Sequence, residues 1–153
     1  MKTITGEPIT TIYVPEVNGK NTKELLQKEG DIKIRIHGWY ILIAKRARDM
    51  LHWCGYLSLP EEHPWHNCNY DNIPVNCHGG PTFAGRNIAG LDQFFVGFDC
   101  AHSGDISPGN TGGWTDGIYR TIEYVMEQLE DMYGQAVFEL EESRSEEHTS
   151  ELQ

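Results

Sequence analysis

The sequence predicts an α+β domain: a mostly antiparallel sheet, one long C-terminal helix and a long Gly/His-rich loop region. Three observations carry that expectation. Apolar residues alternate or run in short blocks between residues 32 and 59, and again at 94–98, as strands do. Ile118, Ile122, Val125, Met126, Leu129 and Met132 recur at helical spacing and mark one apolar stripe. Ten of the 16 glycines lie between Gly79 and Gly117, a density that calls for irregular, loop-built structure. Strands gathered ahead of a helix, rather than alternating with helices, define the α+β class.

The elements follow from local chemistry. Residues 9–14 are β-rich and stop at Pro15, with Asn18-Gly19 as a turn signal. Residues 21–29 read as a short helix, capped by Asn21 and stopped by Gly30. Ile32, Ile34 and Ile36 alternate with Lys33 and Arg35 as one strand; residues 39–44, the most apolar run, form the central strand. His37-Gly38 between them is a bulge or a hairpin turn, and residues 45–49 a turn or the start of a helix. Residues 53–59 form a further strand ended by Pro60, and residues 61–72 a long polar and aromatic loop. Residues 73–77 read as a short strand delivering His78, and residues 94–98 as a strand delivering Asp99, Cys100 and His102. The helix is expected to start at Thr115 or Asp116 and run to Tyr133, with Gly134 as its stop and Glu123, Glu127, Glu130 and Asp131 facing water.

Composition excludes several classes. A net charge of −11 opposes binding to a phosphate backbone, which rests on Lys and Arg, so no nucleic-acid partner is expected. No apolar run approaches the ~18 residues of a membrane span, and residues 1–18 lack the basic start and apolar block of a signal peptide. The expected location is therefore the cytoplasm, with Cys54, Cys68, Cys77 and Cys100 as free thiols. Residues 144–153 are what AGATCGGAAGAGCACACGTCTGAACTCCAG encodes, a common sequencing-library adapter. The native part is accordingly expected to be a single domain over residues 1–143, with residues 144–153 an artefact. Removing their one Arg and three Glu leaves a charge of −9.

Two polar clusters point to a pocket. His78, Gly79, Gly80 and Thr82 form one; Asp99, Cys100, His102 and Asp105 form the other. Three chemistries fit. His78, His102 and Asp99 or Asp105 can hold a divalent metal that activates water. Cys100 can act as a nucleophile with His78 or His102 as base. The same pocket can also hold a small molecule without turning it over. Gly79, Gly80 and Thr82 offer donors to a ligand, and Asp105 a second or positioning carboxylate. Each residue also has a structural reading: a hydrogen-bonded histidine, an inert buried thiol, a carboxylate closing a turn.

At these residues the chain resembles a group of small, uncharacterised proteins common in phages and prophages. The resemblance rests on a Trp-Cys-Gly-Tyr strand (Trp53 to Tyr56), a His-Gly-Gly-x-Thr-Phe turn (His78 to Phe83), a Gly-Phe-Asp-Cys-Ala-His-x-Gly-Asp segment (Gly97 to Asp105), and Tyr119-Arg120 with Tyr124-Val125 near the helix start. Pro81 departs from the aliphatic residue of the pattern. The resemblance implies a phage setting and no particular activity. Two functions of different class follow as expectations. One is a small hydrolase acting on a phosphorylated or acyl-type metabolite, its catalytic groups drawn from His78, His102, Asp99 and Cys100. The other is a non-catalytic counter-defence protein that sequesters a nucleotide-like ligand or blocks a host protein.

Overall fold

The computed structural model describes residues 2–4, 16–17, 20–110 and 117–151. The strand expected over residues 9–14, the Asn18-Gly19 turn and the helix start at Thr115 or Asp116 lie outside them. In chain order the elements are β1 (Lys2–Ile4), β2 (Glu16–Val17), β3 (Lys20–Asn21), α1 (Thr22–Glu29), β4 (Ile32–His37), β5 (Tyr40–Arg46), β6 (Trp53–Ser58), β7 (Phe83–Gly85), β8 (Phe95–Asp99) and α2 (Ile122–Glu151).

The fold is α+β. Strands β4, β5, β6, β8 and β7 form an antiparallel sheet in that order, with the short β1 added outside β4; β2 and β3 pair separately. Helix α2 packs across β5 and β6. Between sheet and helix lie Leu42, Ala44, Trp53, Leu57, Phe98, Val125, Leu129 and Met132, all buried in one apolar cluster. Gly55 makes the close contact possible, since a Cβ there would lie 2.5 Å from the Phe98 ring and 3.3 Å from Leu129. Among the described residues no helix is long and apolar enough to cross a membrane.

Local departures from the sequence reading have identifiable causes. Gly38-Trp39 is a two-residue hairpin turn with Gly38 at φ +59°, so Trp39 leaves the strand and stands at the tip. Strand β5 runs on to Arg46 because that side chain turns inward and is buried against Glu29. Residues 73–77 are extended but pair with no strand. The Gln135 side-chain amide takes the strand's place, accepting from the Asn76 N–H at 2.8 Å and donating to its carbonyl at 2.8 Å. The three-residue strand β7, too short to show a period in the sequence, pairs with β8 as the far edge.

Helix α2 starts late and ends late. Residues 117–121 are not helical, because Ile118 gives its backbone to Gly104 and Ile106 and is half exposed, off the stripe. Thr121 is the N-cap, its Oγ1 accepting from the Tyr124 N–H at 3.2 Å. Gly134 does not stop the helix. Ala136 and Leu140 carry the apolar stripe onward into buried positions, and that packing outweighs the ~1 kcal/mol that an interior glycine costs. Glu130 does not simply face water: it binds Arg35 at 2.5 Å and His37 at 2.9 Å.

Candidate functional site

The loop after residue 77, the turn after β8 and the segment just before α2 converge on one carboxylate. Asp105 Oδ2 lies 2.8 Å from His78 Nε2 and accepts from the His102 N–H at 3.0 Å, while Oδ1 accepts from Arg120 Nε at 2.9 Å. The Asp105 side chain is only 1% exposed. Burial alone would push its carboxyl up, but the bonds from His78, Arg120 and the His102 amide outweigh that and hold it below the ordinary value. Asp105 is therefore a carboxylate, and His78 Nε2 must be the donor to it.

That assignment fixes the rest of the chain of bonds. In neutral His78 the other nitrogen, Nδ1, is an acceptor, and the Tyr124 hydroxyl lies 2.7 Å from it. The imidazole is thus clamped between a phenol and a carboxylate, the order of groups by which a base is oriented and charged. Burial and the nearby acidic groups keep the Tyr124 phenol above its usual pKa, partly offset by Arg120, so it holds its proton in the resting site. The Arg120 guanidinium lies 5.1 Å from the Tyr124 ring centroid. Among the described residues it bonds only through Nε.

His102 sits beside this chain, its ring 5.7 Å from that of His78. Its Nε2 is shielded from solvent, has no hydrogen-bond partner among the described residues, and lies 3.5 Å from Asp99 Oδ1. The Gly79 backbone covers that nitrogen: a Cβ on Gly79 would fall 2.3 Å from it, and Gly79 holds φ +69°. His102, Asp105, Ser103, Gly104 and Ser107 line a cavity of about 370 Å³ beside the cluster.

The expected site residues divide accordingly. His78, Asp105 and His102 come together. Asp99 is spent locally, accepting from the Ala101 N–H at 3.0 Å and the Thr82 hydroxyl at 3.1 Å. The Gly80 and Thr82 amides, expected as ligand donors, go to Cys77 O and Gly97 O. Cys100 corrects the nucleophile reading: it is 1% exposed in the core, and burial pushes its thiol far up. Tyr124 and Arg120 carry functional geometry that the spacing of the polar clusters did not pick out. Among the described residues no three His, Cys, Asp or Glu side chains are grouped to hold a metal ion.

His63 and His66 lie outside this cluster. His63 is buried, bonded to Ala136 O at 2.8 Å and to the Trp65 N–H at 3.0 Å; His66 donates from Nδ1 to Leu59 O at 2.8 Å. A second polar network is deeper. Glu29 Oε1 takes Tyr119 at 2.5 Å, Arg46 at 3.1 Å and Trp53 Nε1 at 3.3 Å, while Oε2 takes the Ile122 N–H at 2.9 Å. Compared with known proteins, the chain matches no family model, no curated protein and no solved structure.

Proposed function

We propose that this protein is a small phage-type hydrolase acting on a phosphorylated or acyl-type metabolite, with Tyr124, His78 and Asp105 as its proton-transfer chain. The observation that carries the reading is His78 held between the Tyr124 hydroxyl at 2.7 Å and the Asp105 carboxylate at 2.8 Å. As water attacks the substrate, its proton passes to the Tyr124 oxygen while the Tyr124 proton moves to His78 Nδ1. The imidazolium is stabilised by Asp105, and the proton returns through Tyr124 to the leaving group. Arg120 binds the anionic part of the substrate through its terminal nitrogens. The motifs shared with phage proteins support the setting.

A non-catalytic binder is the second reading, and one observation favours it: every side-chain polar atom of His78 and Asp105 is already bonded within the protein. The two separate on p-nitrophenyl phosphate and p-nitrophenyl acetate. The hydrolase reading expects nitrophenol release from one of these esters, lowered at least ~100-fold in Tyr124→Phe and in His78→Asn. Tyr124→Phe keeps the ring and its packing, so its loss of rate is not a loss of fold. Release that survives both substitutions, or no release from either ester, overturns catalysis by this chain of residues.

A further inference from the structure

A groove of about 640 Å³ lies between the β4–β5 hairpin tip, residues 59–66 and residues 86–94. Its most unusual wall is Trp39, 85% exposed. The two-residue turn puts the indole there: Gly38 takes the positive φ, and Trp39 has no strand neighbour to cover it. A large aromatic standing free at a groove is a surface that a partner covers.

The charges around it select the partner. Arg86 is turned onto the protein's own acceptors, donating to Asp92 O at 2.9 Å and directed at Asn67 Oδ1 at 3.5 Å. His66 is spent on Leu59 O through Nδ1, with Nε2 3.4 Å from Arg86. Glu61, Glu62 and Asp92 are exposed along the groove against one exposed cation, Arg86, so acidic side chains predominate. In this chain Arg144, one of the residues expected to be adapter-encoded, already engages part of that charge, its Nη2 lying 3.7 Å from Glu62 Oε1. An indole face beside two carboxylates is the chemistry that receives an ammonium or guanidinium, and Trp is the strongest of the aromatic platforms for it.

We infer that this groove binds an arginine- or lysine-bearing peptide segment of a partner protein, with Trp39 as the cation platform and Glu61 and Glu62 as counter-charges. The net charge of −11 draws such a segment in, and the groove gives it a place to seat. This surface lies apart from Tyr124, His78 and Asp105, so the inference stands or falls independently of the hydrolase reading.

Isothermal titration of the full chain with a blocked tetra-arginine peptide at low salt tests it, with tetra-glutamate as control. Trp39→Ala and the Glu61→Gln, Glu62→Gln pair are each expected to weaken tetra-arginine binding about tenfold. Arg144→Ala, which clears the rim, is expected to tighten it. Because all of these side chains are exposed, unchanged thermal midpoints accompany the expected result. Equal binding by the parent, Trp39→Ala and double-Gln proteins marks diffuse attraction to net charge and overturns the site. No binding of tetra-arginine, or binding of tetra-glutamate in its place, overturns it as well.

Discussion

Glu29 and Asp105 each anchor an arginine near the start of α2, and the two carboxylates differ in what else they hold. Glu29 gathers Arg46, Tyr119, Trp53 and the first helical amide, with Arg46 and Glu29 side chains 1% and 4% exposed. All of its donors are groups that keep their protons through the ordinary pH range. Asp105 instead reaches its tyrosine through an imidazole, and its arginine is partly in water. The donors of the first network are an arginine, a phenol, an indole and an amide; the second is bridged by an imidazole, the side-chain type that exchanges protons most readily near neutral pH. Saturated carboxylates alone therefore do not mark a functional site.

The same truncation on both sides puts that contrast to work. Glu29→Ala leaves Arg46 buried without its counter-ion and is expected to cost about 3–5 kcal/mol, so that urea unfolding finds little or no folded protein. Asp105→Ala, with Arg120 able to turn to water, is expected to cost about 1–3 kcal/mol and to leave a cooperative transition. Equal losses would make the two networks the same kind of structural clamp.

pH separates them further. Because the Asp105 carboxyl is held below its unfolded value, its contribution is present above the ordinary carboxylate range and disappears as pH falls through the folded value. The stability of Asp105→Asn, followed by thermal melts from about pH 6 down to 2, is expected to fall less steeply than that of the parent. His63 adds an earlier step. Burial lowers its folded pKa, so the unfolded chain takes up the proton first and stability declines as pH drops below 6.5, the ordinary value.

The smallest expected effect concerns the helix both networks serve. Gly134 has no heavy atom within 4 Å of the position of a Cβ, so Gly134→Ala is expected to stabilise by up to ~1 kcal/mol in urea titrations. A loss of stability would mean that the glycine itself is needed at that point in α2.

What could be read from the sequence was whatever has a short period. The strands over residues 32–59 and the stripe from Ile122 to Met132 follow from spacing alone, and so does the α+β class. Gly134 misled because a local stop signal was outvoted by Ala136 and Leu140, whose burial depends on the sheet beneath. The polar clusters were visible as residue types, yet their division was not. Nothing local says that Asp99 closes a turn while Asp105 meets a histidine 27 positions earlier. Tyr124 lies on the flank of the stripe and reads as packing, and its hydroxyl acquires meaning only when the loop carrying His78 is laid against it, 46 positions away. Glu29 and Tyr119, 90 positions apart, are joined by topology and by no motif.

The amide of Gln135, standing in for a missing strand, has a mechanical consequence. Asn76 hangs from Gln135 and His78 from Tyr124, so the segment bearing the imidazole is suspended at two points from one rigid helix. The helix that carries the phenol thus also holds the backbone leading to the imidazole, so one element sets the spacing of both partners of that bond.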